Sequence, residues 1–369
     1  MSLIKKVLNT VLISINILAL VALLIASFSD MVSPYRNIII PFFGLFFPFI
    51  FAGNLLFFFT WVIFRKWKFV LLNFLIFLIC GSAIHTYFPI NRPTKNVPDS
   101  AIKILTYNVM RFNRLQKNKP DDPNQIIQYI KNSQADIVCL QEYSASKKDS
   151  KTLTEKDILD ALGKDYPYNS LSELQFPYKS EIFGLFIFSK FPILSIEKIP
   201  YESKYNGSFI AELDVNGKKV TIVNNHLESN KLSAEERNNY YRLTHEIDSE
   251  SLNAFSKVMY ERLSTAYKAR ALQVQLISKI IKENKNPYVI VCGDFNDTPI
   301  SYTRHKIKGD LKDAFMESGS GLGITFNRHR FLFRIDYILH SKNIKSYNCT
   351  VGKLKDSDHY PVSCYLELK

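Results

Sequence analysis

The stretch Tyr288-Val-Ile-Val-Cys-Gly-Asp294-Phe-Asn296-Asp-Thr-Pro299 joins an apolar strand pattern to a cluster of polar residues at its C-terminal end. The same arrangement recurs along the second part of the chain. Apolar strand patterns cover residues 102–107, 137–140, 183–188, 209–213, 220–224, 288–292, 334–339 and 360–366. Helical patterns at 124–132 and 267–283 fall between some of them, and Asn216-Gly217 between two strand runs predicts a hairpin turn. Strands mixed with helices and hairpins specify α+β packing rather than a purely parallel sheet. Residues 101–369 are long enough for one large domain with a full core. No internal repeat is present.

The polar residues at the strand ends are the informative ones. Asn108, Glu142 and His226 each close or follow an apolar run, as do Asp294 and Asn296. Asp336 lies within Arg334-Ile-Asp-Tyr337, and Asp358-His359 precede the last strand. One such residue alone would mark only the start of a loop. Carboxylates and histidines together at five or more strand ends exceed what loop composition supplies, and strand ends are where a rigid scaffold presents catalytic groups.

The ordered series Leu105-Thr-Tyr-Asn108, Leu140-Gln-Glu142, Asn225-His226-Leu227, Gly293-Asp294-Phe-Asn296, Arg334-Ile-Asp336-Tyr337 and Ser357-Asp358-His359-Tyr-Pro361 resembles the endonuclease/exonuclease/phosphatase superfamily over about residues 101–368. The resemblance implies a two-sheet β-sandwich flanked by helices, a four-layer α/β sandwich, that hydrolyses phosphate esters with a metal-activated water. Such chemistry requires a metal, an activated water and donors for developing charge. Glu142 is a hard oxygen ligand suited to Mg²⁺, with Mn²⁺ as the alternative. The resemblance adds Asn108 and Asp358 at the metal, Asp294 as the base for water and Asn296 on a phosphoryl oxygen. His359 then donates to the phosphate, Asp336 orients and charges His359, and His226 is a second donor. No Cys/His zinc spacing and no nucleophile elbow occurs, so a zinc site and a covalent serine mechanism have no support.

Substrate class is less sharply written. Abasic-site endonucleases carry an acidic or amide residue and then Gly shortly after the first Asn, whereas here Asn108-Val109 runs into Met110-Arg111. That argues against DNA repair. The leading expectation is a phosphodiesterase or phosphatase acting on a lipid head group or another phosphate ester. An extracytoplasmic nuclease of DNA or RNA is the alternative, and an inactive binding module stands behind both. No basic stripe interleaved with aromatics marks a nucleic-acid surface, since Lys147-Lys148 is answered by Asp149, Glu155 and Asp157.

The first hundred residues are a different material. Residues 1–98 hold eight Lys/Arg and only Asp30 as an acid, hence +7 of the chain's +13, and 15 of its 28 Phe. Charge-free runs at 7–29, 37–64 and 69–91 predict three transmembrane helices, with Pro41 and Pro48 kinking or delaying the second. Asn54 and His85, the polar exceptions, are read as helix-packing or interfacial side chains. Lys5, Lys6 and the Arg65-Lys66-Trp67-Lys68 turn place the N-terminus in the cytoplasm by the positive-inside rule, and three crossings leave the catalytic domain extracytoplasmic. A cleaved signal peptide is the weaker alternative, because the first run exceeds the usual h-region. The expected organisation is a transmembrane region at 1–91, a linker at 92–100 with Pro93 and Pro98, and the catalytic domain at 101–369.

Smaller expectations complete the reading. Cys139 and Cys292 belong to the core, while Cys349 and Cys364, on the last two strands, are placed to pair. His245, His305, His329 and His340 match no motif and are expected at the surface, and Arg334 is expected to pair with an acidic neighbour. Residues 228–266 read as a solvated helical excursion, with a substrate lid as the other possibility.

Overall fold

The computed structural model describes residues 3–147, 151–175, 179–230, 249–328 and 332–369. Two six-stranded mixed sheets lie face to face. One sheet has the order β11 (Ile344–Val351), β12 (Val362–Leu368), β1 (Ile102–Asn108), β2 (Ile137–Ser146), β4 (Glu181–Ser189), β3 (Tyr168–Glu173). The other runs β5 (Ile193–Lys198), β6 (Gly207–Val215), β7 (Lys218–His226), β8 (Val289–Asp294), β10 (Asp336–His340), β9 (Lys312–Asp313).

The near-continuous apolar runs follow from burial on both faces. Along β8, Ile290 and Cys292 enter the core between the sheets, whereas Val289 and Val291 pack outward. Their outward partners are Ala271, Val274 and Ile277 of the helix Ser249–Glu283. Along β2, Ile137 and Cys139 face the other sheet, and Val138 and Leu140 face Ile126, Ile130, Ile158 and Leu162 of the helices Gln125–Ser133 and Glu155–Leu162. Helix, sheet, sheet, helix is the four-layer sandwich expected. Asn124 caps the first of those helices by accepting from the N–H groups of Ile126 and Ile127. Asn216-Gly217 turns β6 into β7.

The sequence pattern passed over the two-residue β9 and, more tellingly, β3 and β5. Both are edge strands, and both carry exposed polar residues where the central strands carry apolar ones. His340 corrects the surface expectation, being fully buried with Nε2 3.2 Å from Glu317 Oε2. His305 is half-exposed and meets Asp30 at 3.1 Å. His245, His329, Lys148, Asp149 and residues 231–248 of the excursion lie outside the described residues. All five cysteines are free thiols; Cys349 and Cys364 are buried neighbours on β11 and β12 without a disulfide.

The expectation of three transmembrane helices is corrected. The N-terminal region forms α1 (Leu3–Ser27), α2 (Ile40–Leu45), α3 (Phe47–Ile63), α4 (Trp67–Ile79) and α5 (Gly81–Tyr87). Among the described residues, only α1, through Lys6–Ser27, is long and apolar enough to cross a bilayer; α4 and α5 make a second span only if their 67° bend is counted as one. The second charge-free run breaks at Phe46 beside Pro41 and Pro48, which leaves α3 with 17 residues. A charge-free run measures composition, whereas a span requires unbroken helix.

This bundle buries a polar knot beside an apolar cluster and turns further apolar side chains outward. Asn16, Asn73 and Trp61 are buried and joined, with Trp61 Nε1 donating to Asn16 Oδ1 at 2.9 Å and Asn73 Nδ2 to the same oxygen at 3.0 Å. Buried Asn54 donates to Ala19 O and Ile50 O, the helix-packing role expected of it. Val11, Leu18, Phe49, Leu56, Leu71 and Leu78 face outward.

Gly293 marks the tightest backbone approach beneath the site. Its φ is +120°, and a Cβ there would lie 2.0 Å from Asn225 O on β7. Gly293→Ala is therefore expected to cost about 3 kcal/mol, read as a lowered thermal-unfolding midpoint of the detergent-solubilised chain. An unchanged midpoint would contradict the required close approach.

Candidate active site

Strand register brings the polar ends together. His226, Asp294 and Asp336 are direct neighbours across β7, β8 and β10. Asn108 closes β1 beside Gln141, and Glu142 follows at a bulge in β2 with φ +50°. The two sheets are stitched below the site by Gln141 Nε2, which donates to Asn224 Oδ1 at 2.7 Å, and by Asn224 Nδ2, which donates to Leu140 O at 3.1 Å. Every strand-end residue singled out in the sequence converges here except Asn296, which turns aside to bond Leu227 O at 2.9 Å.

The geometry is specific. Asp336 Oδ2 lies 2.9 Å from His359 Nδ1, and His359 Nε2 lies 3.6 Å from Asp294 Oδ2. Asn108 Nδ2 donates to Asp294 Oδ2 at 3.1 Å and to Glu142 Oε1 at 3.3 Å. Asn108 Oδ1 is occupied by the Met110 N–H, so the amide presents its nitrogen to the carboxylates. His226 Nε2 lies 3.7 Å from Asp294 and 3.8 Å from Glu142.

Burial and charge sort these groups into different protonation states. Burial alone would lower the pKa of His359, but Asp336, Asp294 and Asp358 outweigh it and raise it to about 10. Burial raises Asp294 to about 6 against the lowering influence of His359. Burial lowers His226, which therefore stays neutral at pH 7. Burial raises Glu142, and the negative charge of Asp358 adds to it. A carboxylate whose charge is disfavoured by burial and by a second carboxylate is a natural seat for a cation, and the oxygen-only donors of Glu142 and Asp358 suit a hard ion such as Mg²⁺. A second candidate cation position is the buried set Asp294, Asp336 and His359, whose ligand atoms lie within 4.8 Å of one another. There, however, His359 already bonds Asp336 and is held as an imidazolium.

Several residues at the site were not read from the sequence. Asn206 donates to Leu227 O and to His226 Nε2, which makes that ring nitrogen an acceptor. Arg328 Nη1 donates to Asp358 Oδ2 at 3.1 Å. Asp297 receives Arg270 Nε at 3.3 Å and Thr303 Oγ1 at 2.6 Å, which fixes the loop after Asp294. All three lie in loops, where no hydrophobic period distinguishes them from ordinary turn residues. Arg334 departs from expectation: its guanidinium donates to the carbonyl of Thr86 in α5, not to an acid. Between Asn108 and Gln116, residues Met110–Leu115 form a left-handed turn with φ between 43° and 64°, held by buried Phe112 and Leu115.

Residues 105–359 match the Endonuclease/Exonuclease/phosphatase family, and the chain belongs to that family. Residues 9–87 match a domain of unknown function, DUF8431. No curated protein matches the chain. Among solved structures, the human Nocturnin catalytic domain with bound sulfate is 18% identical, with a TM-score of 0.51 over 76% of this chain and 100% of that one. The endonuclease/exonuclease/phosphatase from Beutenbergia cavernae DSM 12333 is 17% identical, with a TM-score of 0.49 over 73% of this chain and 72% of its own. That from Bacteroides vulgatus is 18% identical, with a TM-score of 0.47 over 73% and 100%. At such identities the likeness is one of fold.

His359 is the group whose charge the site controls most strongly, and its folded pKa of about 10 exceeds the ordinary 6.5. The stabilisation from that charge is full below about pH 6.5 and declines as pH rises towards 10. Histidine NMR titration without divalent cations should find His359 protonated well above neutrality, and Asp336→Asn should return its pKa towards 6.5. An unshifted pKa in that variant would show that Asp336 does not set the charge.

Proposed function

We propose that this chain is a membrane-anchored, divalent-metal-dependent phosphoesterase. The observation that carries the reading is the Asp336–His359–Asp294 array beside the Glu142 and Asp358 carboxylates. It supplies a charged donor, a base and an oxygen-lined cation seat in one place. Glu142 and Asp358 would hold Mg²⁺ or Mn²⁺, with Asn108 bridging Glu142 to Asp294. When bound, the ion supplies charge neutralisation at a phosphoryl oxygen and acidifies water.

The chain's own groups divide the proton work. Asp294, with a pKa of about 6, is ionised at neutral pH yet basic enough to accept a proton from the attacking water. His359, protonated up to about pH 10, donates to the phosphate and to the leaving oxygen. Asp336 is a positioning residue: it holds the His359 ring through Nδ1 and sustains its charge. Asn296 binds a phosphoryl oxygen once its amide leaves Leu227 O. His226 becomes a second donor when Asn206 releases Nε2 and the ring proton moves from Nδ1 to Nε2.

Anchoring rests on α1 and on the apolar exterior of the bundle, which buries Asn16, Asn54 and Asn73 inside. The catalytic domain sits at the C-terminal end of α1, where Ala26 and Leu23 pack on Ile300. With Lys5 and Lys6 on the cytoplasmic side, the domain is extracytoplasmic. A phosphatase reporter fused after Lys369 should then be active only outside the membrane, and cytoplasmic reporter activity would reverse this orientation.

The full chain in detergent should hydrolyse bis-p-nitrophenyl phosphate with Mg²⁺ and stop in EDTA. Glu142→Ala and His359→Ala should each lower kcat by about 10²–10⁴; EDTA-resistant turnover would refute the metal requirement. The rate should rise with pH as Asp294 ionises near 6 and fall as His359 loses its proton near 10. Asp336→Asn should move the alkaline limb to lower pH. A limb that stays in place would remove His359 as the donor.

A further inference from the structure

Three chain segments that carry or touch catalytic groups are fastened to the helical region within a few residues. Asp294 and Asn296 lead to Ile300, which is buried among Leu23, Ala26, Phe47 and Cys80. The fit is close, since a Cβ on Gly44 would lie 2.3 Å from Ile300 O. Asp336 follows two residues after Arg334, which is 2% exposed and donates to Thr86 O in the last turn of α5. Phe326, edge-on to His359 at 5.1 Å, belongs to the segment that begins at Gly321, whose N–H bonds Pro89 O at 2.9 Å.

These tethers set the depth of the site. Six residues span at most about 20 Å and two at most about 7 Å, so Asp294 and Asp336 cannot lie far from Ile300 and Arg334. The apolar window Lys6–Ser27 has 22 residues. At 1.5 Å per residue it is about 33 Å long and matches a hydrocarbon core of about 30 Å. Ala26, one residue from its end, touches the Ile300 cluster, and Asp30 just beyond meets His305. Ile300 therefore marks the boundary between hydrocarbon and head groups, and the catalytic end of the sandwich is the end turned towards it. Exposed apolar side chains occupy the same segments: Ile90 beside Pro89, Leu322 beside Gly321, and Leu332 beside Phe333, which bonds Phe326.

We infer that the substrate is a membrane-resident phosphate ester, an amphiphile whose apolar part stays in the bilayer while its phosphate reaches this site at head-group depth. This rests on the phosphoesterase and anchoring readings above. In the reaction, the water oxygen forms a bond to phosphorus as the ester P–O bond breaks. Asp294 takes the water's proton and His359 gives one to the leaving oxygen, so ester and water yield an alcohol and a phosphate with one ester bond fewer. Leu322 and Leu332 contact the lipid surface and do not take part in the chemistry.

The test uses the full chain in nanodiscs with Mg²⁺ and several probes at equal bulk concentration. These are bis-p-nitrophenyl phosphate, disc-embedded phosphatidylcholine, phosphatidylglycerol, phosphatidic acid or phosphatidylinositol 4-phosphate, their short-chain soluble analogues, and single-stranded DNA and RNA. At least one disc lipid should be cleaved about ten-fold or more faster than its soluble analogue, because anchoring raises its effective concentration. The double variant Leu322→Glu/Leu332→Glu should lower lipid cleavage about ten-fold while bis-p-nitrophenyl phosphate turnover stays within about two-fold. Lipid cleaved no faster than its soluble analogue, faster cleavage of DNA or RNA, or an equal loss on both substrates in the variant would overturn the inference. Absence of turnover on bis-p-nitrophenyl phosphate by the unmodified chain would instead overturn the phosphoesterase reading beneath it.

Discussion

The contact between His359 Nδ1 and Asp336 Oδ2 at 2.9 Å is the interaction on which the site's chemistry depends. A histidine this deeply buried would ordinarily be neutral and serve only as an acceptor or a packing group. The adjacent carboxylates reverse that preference and keep a positive charge between two β-strand ends. The reversal works only because β8 and β10 run antiparallel in a register that sets Asp294 against Asp336. A shift of one residue would turn Asp336 to the opposite face of the sheet and leave the imidazole without its counter-ion. The hydrophobic alternation that packs Ile290 and Ile338 between the sheets is thus also what aligns the charges.

Much of this was legible in the chain, for a physical reason. Central strands buried on both faces must be apolar throughout, so β1, β2, β7, β8 and β10 stand out, and the polar residues that close the apolar runs of β1, β2, β7 and β8 fall at the same end of the sandwich, where the antiparallel β10 begins with Asp336. Edge strands such as β3 and β5 have no such constraint and merge with loop composition. Asn206, Arg328 and Asp297 were invisible because their roles come from tertiary partners on other elements that no local pattern announces. The orientation of Asn108, with its nitrogen towards Glu142 and Asp294, is likewise a product of the Met110 N–H and cannot be read from residue type. His340 was misread because burial of a histidine beside Glu317 depends on a tertiary neighbour that no local pattern announces.

The N-terminal region shows the limit of composition most clearly. Charge-free length gave the right material and the wrong number of crossings, since proline and a sharp bend divide apolar sequence into short helices. What the runs could not convey is that the helices are built into the catalytic domain. Arg334 reaches from the strand of Asp336 to a helix carbonyl, Asn91 bonds the carbonyls of Met316 and Gly319, and Thr94 exchanges bonds with Asn348. A segment with the proline content of a tether is a docked seam.

The left-handed turn Met110–Leu115 inverts the usual rules of substitution. Six consecutive L-residues there each hold a conformation that their own Cβ disfavours, and the buried Phe112 and Leu115 side chains keep the turn in place. At exposed Arg114 the ordinarily costly change to glycine would relieve strain, whereas the ordinarily benign change to a β-branched residue would add to it. The stretch that carries the chain away from Asn108 is therefore one where helix-forming and strand-forming side chains are equally out of place, and away from buried Phe112 and Leu115 handedness decides which residues it tolerates.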